Sequence, residues 1–191
     1  MKFAISGKMR SGKDTITDYL FENYSVESYS FAHALKNCCG FAFNISSDDL
    51  FVKKPENVRK CLQLFGQAGR AYNPDIWVDI CLDGMSKWTL KEGHVSILDL
   101  RLKNEANRLK KEGFILIRVN RDRDKRFEFG LSNEDDITET DLDDYEEFDY
   151  IVNNNDTKEE LYYLIDKIME EHNVVNTKNK GKSETILAET D

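Results

Sequence analysis

Residues 2–15 read KFAISGKMRSGKDT, from Lys2 through Gly7, Gly12 and Lys13 to Thr15, and the reading of this stretch decides the fold. Lys2–Ser6 is a short apolar run that fits a buried strand. Residues 13–23 (KDTITDYLFEN) place Ile16, Tyr19 and Leu20 on one helical face. Between them Gly7, Gly12 and Lys13 have the G-x-x-x-x-G-K spacing of a phosphate-binding loop, in the strand–loop–helix setting that such a loop requires. The glycines let backbone N–H groups turn inward around phosphate oxygens, and the helix N-terminus adds a positive dipole. Lys13 would neutralise β- and γ-phosphate charge. Arg10, Ser11, Asp14 and Thr15 complete the loop. The position after Lys13, where the general pattern has Ser or Thr for magnesium, holds Asp14, and Thr15 follows one residue later. Asp14 could reach Mg²⁺ through water while Thr15 binds a phosphate, and the division of labour stays open. A glycine turn that merely caps a helix is the plainer alternative, but it does not account for the full spacing in this setting.

Outward from the loop, strands and helices keep alternating. Residues 26–31 suit a second strand and residues 32–41 a helix. Pro55 suits a helix start, and residues 56–69 carry Val58, Leu62 and Phe65 at helical spacing. Asn73, Pro74 and Asp75 open another helix that runs to about residue 88. Residues 95–98 (VSIL) and 114–119 (FILIRV) are continuous apolar runs of the kind found in central parallel strands. Between them a helix over 103–112 is ended by Gly113. Residues 148–152 (FDYIV) are a last strand, and Thr157 caps a helix to about residue 171. This alternation implies a three-layer α/β/α fold with a mainly parallel five-stranded sheet. Its domain covers residues 1–172, with a charged surface excursion over about 121–147. Residues 173–191 read as a polar, flexible tail.

The chain has 191 residues and a formal net charge of −9, which at first argues against a binder of anions. The charge is unevenly placed. Residues 134–149 hold ten acids and no base, residues 150–191 contribute −4, and residues 1–133 contribute +5. The proposed phosphate sites therefore lie in a mildly basic region, and the acidic run either pairs with the arginines that precede it or keeps the protein soluble, solubility being the simpler role. No stretch approaches the roughly 20 apolar residues of a membrane span, and the N-terminus does not resemble a signal peptide. Cys38, Cys39, Cys61 and Cys81 follow no metal-binding spacing and read as reduced thiols of a cytoplasmic protein. His33, His94 and His172 are isolated, and no chemistry is assigned to them.

A second constellation is Asp99-Leu100-Arg101, immediately after the VSIL strand. A carboxylate at a strand end beside such a loop can hold magnesium or orient an attacking group. Arg101 would fork onto a substrate phosphate. An exposed Asp/Arg pair is the alternative and loses weight only beside the phosphate loop.

At this point SGKMRSGKDT with ITDYL resembles the P-loop of the bacteriophage deoxynucleoside monophosphate kinases. Four later blocks are similar to the same family in the same order. They are Ser30-Phe31-Ala32 with Leu35-Lys36; Leu62-Gln63 with Gly69-Arg70 and Asp75-Ile76-Trp77-Val78; Asp99-Leu100-Arg101 with Asn104-Glu105; and Thr138 to Leu142 with Phe148-Asp149-Tyr150 and Asn153-Asn154-Asn155. The resemblance covers about residues 1–170. It implies an adenylate-kinase-like fold and transfer of the γ-phosphoryl group of ATP, with Mg²⁺, to a deoxynucleoside monophosphate. The resemblance further implies that Lys36, Arg70 and Arg101 hold the acceptor phosphate, with Gln63 and Trp77 lining its base and sugar pocket. For Trp77 a core aromatic on an amphipathic helix is an equal alternative, and for Gln63 a solvated helix position.

The family places a mobile lid where Arg118, Arg121, Arg123 and Arg126 lie. Arg121 and Arg123 are the foremost candidates to close over the transferring phosphoryl group. A His-x-Ser-Glu block usually follows the lid. This chain has Asp136-Ile137-Thr138-Glu139 instead, so the His is missing and Glu139 remains as a substrate-side residue. Asn153 to Asn155 follow the last strand, where adenine sits in this fold class, and Asn154 would read the base; an Asn-rich turn explains them equally well. Lys13, Asp99 and the lid arginines would carry catalysis, and Asp14, Thr15 and Asp99 the magnesium. The expected partners are small-molecule nucleotides, without nucleic acid or membrane. Kinases of this kind are often homodimers, which no heptad or apolar patch here establishes. The rival expectations are a P-loop kinase of another small acceptor, of the dephospho-coenzyme A or phosphomevalonate type, and a non-catalytic nucleotide-binding switch.

Overall fold

Phe3, Ala4 and Ile5 are fully buried, as a run of consecutive apolar residues must be when a strand is covered on both faces. In the computed structural model, which describes residues 1–88, 93–127 and 136–178, they lie in the central strand of a five-stranded parallel sheet. The elements in chain order are β1 (Lys2–Ser6), α1 (Lys13–Tyr24), β2 (Val26–Tyr29) and α2 (Phe31–Phe43). A π-helical turn (Asp49–Lys53) then precedes α3 (Glu56–Tyr72), α4 (Ile76–Trp88), β3 (His94–Leu100) and α5 (Lys103–Lys111). The chain continues through β4 (Ile115–Asn120), α6 (Arg123–Phe127), α7 (Ile137–Thr140), β5 (Tyr150–Asn153) and α8 (Lys158–Glu171). The strand order is β2-β3-β1-β4-β5. β1 runs parallel to β3 and to β4, and β4 parallel to β5. The expected α/β fold and its five strands are therefore present.

The chain divides into two compact units, residues 1–28 with 90–191 and residues 29–89. In the first, Phe3, Ile5, Ile117 and Val119 share a sheet face with Val26 and Val152. Ile16, Leu20 and Tyr24 of α1 and Leu161, Ile165 and Met169 of α8 close over them. Each such aliphatic side chain contributes about 1.5–3 kcal/mol on burial. The Tyr19 and Tyr24 hydroxyls donate to Asp166 Oδ1 at 2.8 and 2.6 Å, tying α1 to α8. By strand alternation Leu116 faces the other way, toward the side where α5 packs on β4 and buries Ala106 and Leu109. Val174 belongs to the same core as Phe3 and Thr177 Oγ1 donates to Asn23 O at 3.0 Å, so the chain stays packed beyond residue 172. The rest of the expected tail, from 179 on, lies outside the described residues, as do residues 128–135 of the expected lid.

The second unit is built from α2, α3 and α4, packed on one another. Trp77 of α4 is 6% exposed, donates its indole N–H to Gly66 O at 3.2 Å and packs against Phe65. Gly69 permits that approach, since a Cβ there would sit 2.5 Å from the indole ring. Cys39 and Cys61 lie with their sulfurs 3.7 Å apart, and the four cysteines are free thiols.

Three boundaries differ from those expected. Phe31 begins α2 instead of ending β2, because Ser30 caps the helix by accepting the His33 N–H at 2.9 Å. β3 extends through Leu100, held by its register with Ser6, so Asp99 lies within the strand and Arg101 directly follows it. Arg118 lies inside β4, opposite Ser6, and is not part of a lid. No helix among the described residues is long and apolar enough to cross a membrane.

Candidate active site

All four paired strands run in the same direction, so Ser6, Leu100, Asn120 and Asn153 bring their C-terminal ends to one edge of the sheet. β1 has β3 on one side and β4 on the other, and the crevice at such a switch in strand order is where open α/β sheets bind ligands. Residues 7–12 leave β1 at that point and lead into α1.

The loop has little steric freedom. Gly12 has φ 103°, and a Cβ there would collide with Asn154 Nδ2, so only glycine fits. A Cβ on Gly7 would lie 2.5 Å from Val119 O. Asn154, the residue expected to read a base, donates its side-chain amide to Ser11 O at 2.8 Å, while its backbone N–H reaches Asn120 O at 2.7 Å. It fastens the loop to the end of β4. Asn155 is joined to Asp122 by two hydrogen bonds of 2.8 Å.

Lys13 opens α1 and is only 8% exposed. Its ammonium donates to Gly7 O at 2.7 Å and Lys8 O at 2.9 Å. Burial is the main reason its pKa falls to about 8; Arg101 and, more weakly, Arg118 push the same way, against Glu139 and Asp14. Lys13 loses its charge above that pKa. The affinity of the loop for a phosphate-bearing ligand is therefore expected to fall as pH rises through about 8, where an ordinary lysine would stay charged to beyond 10. A pH series of ATP dissociation constants checks this.

Beside the loop lies a cleft of about 370 Å³ lined by Arg10, Gly12, Lys13, Asp14, Thr15, Arg121 and Lys125. It thus unites most of the expected nucleotide-binding residues with one expected lid arginine. Among the described residues, two buried side-chain atoms make no hydrogen bond, Ser11 Oγ in the loop and Arg121 Nε at the cleft. Unpaired buried polar groups are costly, so both suit contact with a polar ligand. No three His, Cys, Asp or Glu side chains among the described residues cluster as a metal cage. Mg²⁺ does not need one. It is commonly held by one or two carboxylates, water and substrate phosphate oxygens, and Asp14 and Thr15 at the cleft, with Asp99 in β3, supply hard oxygen donors of that kind.

The other flank of the loop is bound by acids. Glu139 accepts the Met9 N–H at 2.7 Å through one oxygen and pairs with Arg101 at 2.5 Å through the other. Arg101 also donates to Gly7 O at 3.2 Å. Asp143 pairs with Lys8 at 2.5 Å and with Arg118 at 3.0 Å, and Arg118 donates to Ser6 Oγ at 3.0 Å. Asp141 accepts the Lys103 N–H at 2.7 Å. Glu139, Asp141 and Asp143 are therefore engaged with the loop and α5, and Asp143 pairs with Arg118, so the first of the two expected roles of the acidic run, pairing with arginines, is seen at Asp143. Glu105 accepts the backbone N–H groups of Arg101 and Leu102 at 2.9 and 3.0 Å, capping α5 and fixing the turn that carries Arg101. Arg126 is buried and donates to Arg121 O at 3.2 Å and Met9 O at 3.4 Å, whereas Arg123 is exposed.

Lys36, Gln63, Arg70 and Trp77 all belong to the second unit. Lys36 lies over the Phe51 ring at 5.1 Å, Gln63 is exposed on α3, and Arg70 stands in the last turn of α3. Lys8 and Asp143 were not foreseen. Their link spans 135 positions of sequence, and the one available signal was an acidic run beginning just after a cluster of arginines.

The profile of the deoxynucleotide monophosphate kinase family matches residues 2–57. An Acanthamoeba polyphaga mimivirus protein that carries the provisional name deoxynucleotide monophosphate kinase is 27% identical over 184 residues, covering 84% of this chain and 92% of that protein. Among solved structures, TT1252 from Thermus thermophilus superposes with a TM-score of 0.60 at 16% identity, over 90% of this chain and 97% of its own. Shikimate kinase from Aquifex aeolicus superposes with a TM-score of 0.53 at 19% identity, over 90% and 98%. At these identities the two structures speak for the fold.

Proposed function

We propose that this chain is an ATP-dependent kinase that transfers the γ-phosphoryl group to a deoxynucleoside monophosphate, giving the diphosphate and ADP. The observation that carries the reading is the buried Lys13 ammonium held by Gly7 O and Lys8 O at the mouth of a phosphate loop, with Arg101 donating to the same Gly7 carbonyl. A second cation set against the loop suits a second phosphate, which a nucleotide-binding switch does not need. The family profile over the loop and α2, and the relative's name, support the choice of acceptor.

The acceptor phosphate oxygen is already anionic, so its attack on the γ-phosphorus needs no strong base. Positioning and charge neutralisation carry the catalysis. Gly7, Arg10, Ser11, Gly12, Lys13 and Thr15 cradle the ATP phosphates, and Asn154 keeps the loop in place. Asp14, Thr15 and Asp99 would hold Mg²⁺, which supplies neutralisation of phosphate charge. Arg121 and Arg123 close over the phosphoryl group from a lid within about residues 121–147. In the first unit Arg101 is the residue proposed for the acceptor phosphate; in the second, Lys36, Arg70 and Gln63 are the acceptor-side residues that the resemblance implies, and Trp77 locks α4 to α3 there.

The test is a set of initial rates of ADP release with ATP and each common deoxynucleoside and ribonucleoside monophosphate. Saturable release with at least one deoxynucleoside monophosphate, faster than with its ribose counterpart, is the expected result. Release that no monophosphate stimulates would reject the reading.

A further inference from the structure

Four consecutive residues at the start of the phosphate loop are each held by a side chain from elsewhere in the same unit. Ser6 Oγ accepts from Arg118 at 3.0 Å, and Gly7 O from Arg101 at 3.2 Å. Lys8 Nζ is paired with Asp143 at 2.5 Å, and the Met9 N–H donates to Glu139 at 2.7 Å. The two arginines are in turn joined to the same two acids, Arg101 to Glu139 at 2.5 Å and Arg118 to Asp143 at 3.0 Å. Each carboxylate thus binds a loop donor with one oxygen and, with the other, an arginine that itself grips the residue two positions earlier in the chain.

We propose that Glu139, assisted by Asp143, is a positioning residue that fixes the entry limb of the phosphate loop and, through the Gly7 carbonyl, the place of the Lys13 ammonium. The limb is where Lys13 is anchored, since both acceptors of its ammonium, Gly7 O and Lys8 O, belong to it. Glu139 is the tighter of the two acids. Its side chain is 9% exposed against 41% for Asp143, so its charge is poorly screened and its geometry well defined. Glu139 does not line the cleft beside Arg10 to Thr15, whereas Asp143 lines a neighbouring cleft of about 340 Å³ together with Lys8, Arg118 and Arg121, so Glu139 is the acid that acts on the loop from outside either space. This assignment rests on the proposed kinase activity only for its kinetic readout.

The kinetic consequence follows from where an error in position is felt. A displacement of about 1 Å in a catalytic group can cost on the order of 100-fold in rate. Glu139→Gln keeps the shape and an oxygen that can accept the Met9 N–H, but loses the ion pair that aims Arg101. With ATP and an accepted monophosphate, this variant is expected to lose roughly 10- to 100-fold in kcat while the KM for ATP stays within about threefold; the acceptor KM rises along with the kcat loss, because Arg101 is no longer aimed. Glu139→Asp, which keeps the charge, is expected to recover part of the loss. Glu139→Ala is expected to remove the Met9 hydrogen bond as well, and so to shift the Met9 amide proton upfield of its wild-type position and speed its exchange, a readout that needs no substrate. A rise in acceptor KM at unchanged kcat would make Glu139 a substrate contact and overturn the assignment. Lower thermal stability with full kcat would make it merely structural and also overturn it. If the wild type turns over no monophosphate, the kinase reading fails alone. The Met9 amide then decides: loss of protection in Glu139→Ala upholds the brace, and unchanged protection refutes it.

Discussion

Lys13→Ala is expected to lower kcat by roughly 10²–10³-fold, the scale set by removing one preorganised charge or donor from a phosphoryl or oxyanion site. That corresponds to about 3–4 kcal/mol of transition-state stabilisation. The fold should not suffer. Burial and the neighbouring Arg101 already disfavour the charged ammonium, which offsets the loss of its hydrogen bonds to Gly7 O and Lys8 O, so the thermal midpoint is expected to stay within a few degrees. Steady-state kinetics and a thermal unfolding curve on the same preparation check both parts. Full turnover in a folded Lys13→Ala protein would remove the phosphate loop from the chemistry.

Arg101→Met has the second largest expected effect, and it acts on stability and activity together. The side chain is 24% exposed, and its partner Glu139 only 9%. Removing the guanidinium leaves a nearly buried carboxylate with the Met9 N–H as its remaining partner among the contacts described above. Breaking a buried pair from one side costs about 3–5 kcal/mol. Partial exposure of the arginine sets the expectation at the low end, a drop of roughly 6–12 °C in thermal midpoint for a chain of this size. The acceptor KM should rise at least tenfold, because this arginine is proposed to hold its phosphate. Combining Arg101→Met with Glu139→Gln should return most of the lost stability but none of the acceptor affinity. Differential scanning calorimetry and acceptor titrations on the single and double variants separate the two effects.

What could be read from the sequence was local in origin. The strand, loop and helix of residues 2–24 follow from a buried apolar run, fixed glycine spacing and one amphipathic face, all within a few turns of chain. The alternation of later strands and helices is legible for the same reason. Asp99 and Arg101 were identifiable as a pair, but the end of β3 was not, because it is set by pairing with Ser6 on another strand. Arg118 illustrates the limit more clearly. An arginine at the end of FILIRV reads as the start of a charged excursion, yet it is only 9% exposed, because Ser6 and Asp143 supply partners that no local pattern reveals. Glu139 and Asp143 sit in a run of acids that resembles a solvated face, and only the fold brings them to Met9 and Lys8. Asn154 was singled out for a nucleotide base, and its amide braces Ser11 O. Distinguishing a base reader from a loop brace requires knowing what lies opposite, and sequence spacing does not contain that.

The most direct measurement follows the phosphoryl group itself. The protein is incubated with Mg²⁺ and ATP labelled at the γ-phosphate, together with a deoxynucleoside monophosphate, and the nucleotides are separated. Label in the corresponding deoxynucleoside diphosphate, with one ADP formed per diphosphate and with the transfer lost in Lys13→Ala, is the result this account predicts. Label found only in ATP and inorganic phosphate, whichever monophosphate is supplied, would contradict it.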